Sequence, residues 1–369
     1  QREQAVYEAA ARARGIAPLS AGHAFAAVRE RLRARGIVPE PKRAGELHVV
    51  YAAVPTNWEP HNIPPALERL GKVSCYYLAE RGFDPASPRW LEERERLDAD
   101  LLAWMRELHA REPVDAFVGY LSGWHVAPET VRAIGGLGIF TASFHLDDRL
   151  WFRGPVAGGR AMGPAPLAPA YDLNLTNASA SLVKYQVEGG VALFWPPGAN
   201  LEHFRPLERP FEHDVSFVGA RYGERPVFIE RLRRAGMTVS AFGPGWPGGP
   251  LKEEEMLEVY ARSRINLGFG GIAYSMRERC LKGRDFEVPA CGTVYLTSEH
   301  PDLHRVYDVG REVVTYRDAD DCVRQIRGLL ADPGRCAAIR VAARARCERE
   351  HGWVHRFAEL FTGAGVYDG

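Results

Sequence analysis

Short apolar runs alternate with helical patterns twice along this chain, and few architectures accommodate that order. ELHVVYAAV (46–54), KVSCYYLA (72–79), VDAFVGYL (114–121), GIFTASFHL (138–146), LNLTNA (173–178) and VALFWPP (191–197) have strand character. Helical patterns fill most of the gaps, at 64–71, 90–110, 128–136 and 179–190. After a proline-rich polar stretch at 196–214 the alternation restarts, with strands expected at 214–220, 238–243, 264–270, 292–298 and 312–316. Helices are expected between and after them, at 225–236, 252–263, 284–291, 320–332 and 334–352. Strands separated by helices are the sequence form of a parallel sheet covered on both faces.

The expected fold class is therefore α/β, with two tandem Rossmann-like doubly wound domains facing a cleft and an N-terminal helical extension. At 369 residues the chain exceeds the size at which one core stops growing, in keeping with two domains. The expected divisions are a helical extension over 1–45, a first Rossmann-like domain over 46–210, a second over 211–345, and a C-terminal helix over 346–369 that crosses back to the first domain. Pro18 breaks the N-terminal helical pattern, and PEPKRAG (39–45) reads as a linker.

Lys plus Arg and Asp plus Glu stand at 47 each, so no global field draws the chain to nucleic acid, and an anion site has to be local. The six cysteines show no C-x-x-C spacing, which disfavours a zinc or dithiol redox centre and favours reduced thiols. No run of about eighteen apolar residues is long enough to span a bilayer, and the polar start QREQAVYEAAARARGIAP lacks a secretory pattern. A cytoplasmic setting is expected.

Ligands of doubly wound sheets bind beyond the carboxyl ends of the strands, so the loops there carry the chemistry. In the second half three such loops are glycine-rich. GARYGERP (219–226) brings Arg221 and Arg225 to a helix start near Pro226; it reads as a diphosphate cradle or as a turn with two solvated arginines. FGPGWPGGP (242–250) makes a wall on which Trp246 can stack against a flat ligand, and GFGGIAYS (268–275) includes Gly270 and Gly271. KGRDFEVPACG (282–292) follows. Its Lys282 and Arg284 can neutralise phosphates, Glu287 can accept from two sugar hydroxyls, Asp285 can cap the helix, and VPAC supplies a buried face.

FEVPACG before a strand, then GREVVTY (310–316), DADDCVRQIRGLLADP (318–333) and the spaced Arg346, His351, Trp353, Arg356 and Phe357 resemble the carboxyl half of nucleotide-sugar glycosyltransferases with the two-Rossmann GT-B fold. The similarity is greatest to the spore-maturation-protein branch, and FHLDD (144–148) resembles an amino-half signature of that branch. The resemblance covers roughly 114–361. It implies that Glu287 holds the ribose of a sugar nucleotide and that Arg221, Arg225, Lys282 and Arg284 hold its diphosphate, with Trp246, Gly270 and Gly271 completing the donor site. One position departs: related retaining enzymes carry a Glu eight residues before the ribose-binding one, where this chain has Arg279, next to Glu278.

The function expected from this resemblance is transfer of a sugar from a nucleoside diphosphate sugar to an acceptor hydroxyl or similar nucleophile, small-molecule, glycan or protein. No metal or cofactor is expected beyond the sugar nucleotide as co-substrate, and no nucleic-acid partner; the stereochemistry stays open. Candidates for proton transfer are His145, Asp147 and Asp148, although either aspartate can instead cap the helix that follows. Candidates for acceptor contacts are His61, Trp124 and His125. A sugar-nucleotide epimerase or hydrolase, and a non-catalytic nucleotide-sugar-binding subunit, are the competing expectations.

Overall fold

The computed structural model describes residues 2–56, 58–273, 275 and 278–369. The chain divides into two compact units, Gln1–Pro196 together with Val354–Gly369, and Pro197–Trp353.

The first unit begins with helices α1 (Arg2–Arg14) and α2 (Ala21–Ala34). Its strands are β1 (Leu47–Ala53), β2 (Gly71–Tyr77), β3 (Ala116–Tyr120), β4 (Phe140–His145), the small hairpin β5 (Val156–Ala157) and β6 (Arg160–Ala161), β7 (Leu173–Thr176) and β8 (Ala192–Phe194). Between them lie α3 (Ile63–Glu68), α4 (Trp90–Arg111), α5 (Pro128–Gly135), α6 (Asp148–Trp151) and α7 (Leu182–Val187). Six strands form one parallel sheet in the order β2-β1-β3-β4-β7-β8. Every residue of β1 is buried, which is why LHVVYAA reads as a continuous apolar run rather than an alternating one. The long helix α4 instead buries one stripe, Trp90, Leu97, Leu101, Met105 and Leu108, against that sheet's core.

In the second unit come β9 (His213–Val218), α8 (Arg225–Arg234), β10 (Val239–Phe242), α9 (Glu253–Ala261), β11 (Ser263–Leu267), α10 (Arg284–Ala290), β12 (Tyr295–Ser298), α11 (Leu303–Val306), β13 (Val314–Tyr316), α12 (Ala319–Ala331) and α13 (Pro333–Arg346). The sheet order is β10-β9-β11-β12-β13, again parallel throughout. Sequence periodicity placed these strands within three residues of their observed ends. The expected single helix over 334–352 is interrupted, because a π-helical turn at Cys347–His351 follows α13. There His351 Nε2 lies 2.8 Å from the Val306 carbonyl, and Ala199 and Trp353 are joined by a backbone hydrogen bond of 3.1 Å, which bends the chain out of a continuous helix.

The last helix, α14 (Trp353–Ala364), contributes from Val354 onward to the first unit. Phe357 meets Trp195 edge-on at 5.3 Å, Arg356 Nε donates to Pro196 O at 3.2 Å, and Arg29 of α2 donates to Gly363 O at 2.6 Å. Among the described residues no disulfide is formed and no helix is long and apolar enough to cross a membrane.

Candidate functional site

Each sheet reverses its strand order once: the chain runs from β1 outward to β2 and returns to β3, and from β9 outward to β10 and returns to β11. Such switch points open a crevice beyond the carboxyl ends of the two central strands. In the second unit that crevice is bordered by the loop 219–224 after β9 and by the long loop 268–283 after β11.

The first of these loops is tied to the 243–249 loop by backbone. Gly219 N–H donates to Phe242 O (2.8 Å), Arg221 N–H to Pro244 O (2.9 Å), and Gly243 N–H to Gly249 O (2.6 Å). Gly243 has φ 120°, and a Cβ there would stand 2.5 Å from Gly219 O. Only glycine satisfies both demands. Gly243→Ala is therefore expected to cost about 3 kcal/mol and to part these two loops; a melting temperature equal to the parent's would contradict the tie.

Trp246 does not present an open face, which corrects its expected stacking role. It is 7% exposed, lies in the core with Phe217 edge-on at 6.2 Å, and donates its indole N–H to Gly219 O at 2.8 Å. Its part is to clamp the two loops, while the exposed Arg221 guanidinium covers its ring at 5.6 Å.

Arg225, the first residue of α8, is 5% exposed. Its Nη1 donates to Ala220 O (3.0 Å) and its guanidinium covers the Tyr222 ring at 4.1 Å and the Phe217 ring at 5.5 Å. Arg284, the first residue of α10, approaches the same Phe217 ring at 5.6 Å, and its Nη1 would lie 3.2 Å from a Cβ on Gly219. Two guanidinium groups thus share one aromatic residue. Among the described residues neither forms an ion pair, and Arg284 Nε is buried without a hydrogen-bond partner. Burial, followed by the charge of Arg284, pushes Arg225 down to about 10. Burial opposes the charge of Arg284 too, but Tyr295, Tyr260, Glu287 and Asp285 outweigh it and hold its pKa up.

The stretch 282–292 has a structural and a chemical side. Asp285 is fully buried; its carboxylate accepts Lys282 N–H (2.7 Å) and Tyr295 OH (2.7 Å), so it fixes the turn that presents Lys282 and Arg284. Glu287 is 6% exposed, with Oε1 3.0 Å from where a Cβ on Gly283 would lie, so that glycine leaves room for the carboxylate. Pro289 and the left-handed Gly292 (φ 63°) end the helix after two turns. Gly270 is buried and donates its N–H to Ser298 Oγ (2.8 Å), while Gly271 pairs with Arg279 across the loop. Tyr274 of this glycine-rich loop lies outside the described residues. Arg279 stands at the position where the resemblance led one to expect a Glu; its Nη1 donates to Glu299 O (2.6 Å), and Glu278 beside it is buried. The sequence reading passed over Glu224, whose Oε1 would stand 3.4 Å from a Cβ on Gly271 and whose carboxyl burial pushes up. Its signal was there, as the one acidic residue within GARYGERP.

In the first unit the six other candidates lie at or after the carboxyl ends of β1, β3 and β4. His61 is exposed, and Trp124 is half-buried with its indole donating to Pro85 O (3.1 Å). His125 Nδ1 accepts Ser122 N–H (3.0 Å). Burial, then Arg94, pushes His125 down to about 4, and burial, then His125, pushes His145 down to about 3. Asp147 is exposed at the cap position of α6. Asp148 is turned inward, which corrects its place among the proton-transfer candidates: Oδ1 accepts Thr176 Oγ1 (2.9 Å), Oδ2 accepts Tyr185 OH (2.6 Å), and 2% of the residue is exposed. Glu59, after β1, is another residue the sequence reading passed over; it is fully buried, accepts Tyr77 OH (2.9 Å), and burial pushes its carboxyl up.

Comparison with known proteins places this architecture. Residues 225–362 match a family profile described as glycosyl transferase-like. No curated protein matches the chain. Among solved structures, a glycosyltransferase from Rickettsia africae aligns with TM-score 0.60 at 10% identity over 87% of this chain and 98% of that one. Sucrose-phosphate synthase from Thermosynechococcus elongatus aligns with TM-score 0.57 at 15% identity, over 86% and 98%. The Anabaena protein HepE, solved in complex with UDP, aligns with TM-score 0.55 at 11% identity, over 86% and 99%. The fold is that of the GT-B glycosyltransferases, as the carboxyl-half motifs led one to expect. The segment that matches the glycosyl transferase-like family covers the second unit from Arg225 onward and the first part of α14.

Proposed function

We propose that the chain is a nucleotide-sugar glycosyltransferase whose second unit binds a nucleoside diphosphate sugar. The observation that carries this reading is the pair of guanidinium groups, Arg225 and Arg284, gathered on Phe217 at the switch point, neither of which forms an ion pair among the described residues. Two close cations in a poorly hydrated place are costly unless an anion joins them, and a diphosphate supplies two negative centres at the right scale. Glu287 follows in the same segment and accepts from ribose hydroxyls, as in the family the segment resembles.

In the reaction the acceptor oxygen forms a bond to the anomeric carbon as the bond from that carbon to the diphosphate oxygen breaks. Negative charge grows on the departing diphosphate, and Arg225, Arg284 and Lys282 stabilise it, which is the task a divalent cation performs elsewhere. The acceptor proton needs a base. Asp148 is committed to two hydroxyls and His145 is driven to about 3, so Asp147, exposed at the same edge of its sheet, is the proposed base.

HepE was solved with UDP, so UDP-sugars are the first donors to supply. Release of the nucleoside diphosphate is expected to accelerate with an acceptor mixture and to be unchanged by a chelator. Epimerised sugar nucleotide formed at full rate without acceptor, or binding without release under every acceptor, would replace this reading.

A further inference from the structure

Three side chains at the carboxyl edge of the first unit's sheet keep hydrogen-bonding capacity that the fold does not use. Trp90, Arg94 and Asp98 lie four residues apart on α4 and share one face. Both ends of that face are fixed against the loop after β3. Trp90 Nε1 donates to Trp124 O (2.7 Å), and Asp98 Oδ1 accepts Ala127 N–H (2.9 Å) and Thr130 Oγ1 (2.7 Å). Arg94, between them, is thereby held alongside His125. Its Nη1 touches Met162 Sδ at 3.5 Å, its Nε is buried without a hydrogen-bond partner, and among the described residues it makes no ion pair.

His125, on the loop to which that helix face is pinned, carries a second donor. Because its Nδ1 accepts Ser122 N–H, its proton sits on Nε2, and among the described residues Nε2 makes no hydrogen bond. His145, at the end of the neighbouring strand β4, is 7% exposed and its Nε2 is buried without a partner. Arg94 lowers the pKa of His125, and His125 that of His145, as close like charges do. The cluster has a fixed cation and two neutral imidazoles; the carboxylate on the same helix face, Asp98, gives one oxygen to Ala127 and Thr130.

We propose that Arg94, His125 and His145 form a pocket for an oxyanion, phosphate or carboxylate, carried by the acceptor substrate. This rests on the glycosyltransferase reading and narrows it to acidic or phosphorylated acceptors. A guanidinium fork and an imidazole N–H are the donor types that such groups recognise.

The test uses the full chain labelled with 15N at histidine, with inorganic phosphate and, separately, acetate titrated in at constant ionic strength. The ring signals of His125 and His145, assigned with His125→Ala and His145→Ala, are expected to shift saturably with one of the two probes, and which one distinguishes phosphate from carboxylate. Arg94→Gln is expected to weaken that response roughly ten- to hundredfold, and Arg94→Lys less. UDP, added to parent and Arg94→Gln alike, reports on the fold and on the donor site. Ring signals unmoved by both probes, or a response that survives in Arg94→Gln, overturns the proposal even where UDP binds. Absence of UDP stabilisation in a parent protein whose histidines do respond counts against the donor reading and leaves the oxyanion pocket standing.

Discussion

Arg284→Ala is expected to lower sugar-nucleotide turnover by roughly 10²–10³-fold while leaving the free protein folded. The loss is large because the guanidinium acts on charge that grows as the diphosphate departs, from a place against the Phe217 ring where its Nε is buried. The fold is spared because, among the described residues, this side chain holds no ion pair and its Nε no hydrogen bond. Asp285→Ala, one residue on, makes the opposite statement. It strips the acceptor from Lys282 N–H and Tyr295 OH, both in a buried setting, and is expected to cost about 2–5 kcal/mol of stability. Turnover of Arg284→Ala within a fewfold of the parent, or its collapse on purification, would remove this residue from the donor site.

Acidification is expected to draw stability from His125 and His145 well before ordinary carboxylates titrate. His125 and His145, shifted from 6.5 to about 4 and about 3, stay neutral in the folded chain while the unfolded chain takes up protons. Below pH 6.5 the unfolded state therefore binds more protons, and each histidine removes stability as pH falls, by up to about 1.4 kcal/mol per pH unit. Asp148 acts with the opposite sign. Its carboxyl, raised from 3.8 to about 6 by burial, keeps a proton in the folded chain that the unfolded chain gives up, so its contribution is lost as pH rises from about 4 to 6. Asp98 and Glu59, whose carboxyls burial also raises, act with the sign of Asp148, so the histidine contribution is read from the difference between parent and variant profiles. Urea midpoints across that range measure it. His145→Asn is expected to reduce the loss of stability toward acid relative to the parent and Asp148→Asn to increase it; a His145→Asn profile parallel to the parent's would contradict the burial assigned to that histidine.

Much of the fold was legible in the sequence because its signals are local. Runs such as LHVVYAA and AFVGY are largely apolar over the length of one buried strand, and glycine or proline lies near their ends. The glycine-rich loops and the 282–287 segment were legible for the same reason, since a loop that follows a strand of a parallel sheet has one place to be. Which way a side chain faces was not local. Trp246 offers an apolar ring and an N–H donor, and it was the carbonyl of Gly219, in another loop, that drew it inward. Of the neighbours Asp147 and Asp148, the inward one was chosen by Thr176 and Tyr185, on later elements of the chain. Arg94 had no signal at all, because the loop to which its neighbours Trp90 and Asp98 are pinned, and on which His125 lies, follows a later strand.

The central claim is that the second unit's switch point, with Arg225, Arg284 and Glu287, binds a nucleoside diphosphate. Calorimetric titration of the full chain with UDP, GDP, ADP, CDP and dTDP tests it most directly. The account predicts saturable one-site binding of at least one of them, with the affinity reduced roughly ten- to hundredfold in Arg225→Met and in Arg284→Ala. Binding by none of the five, or equal binding by parent and both variants, would contradict it.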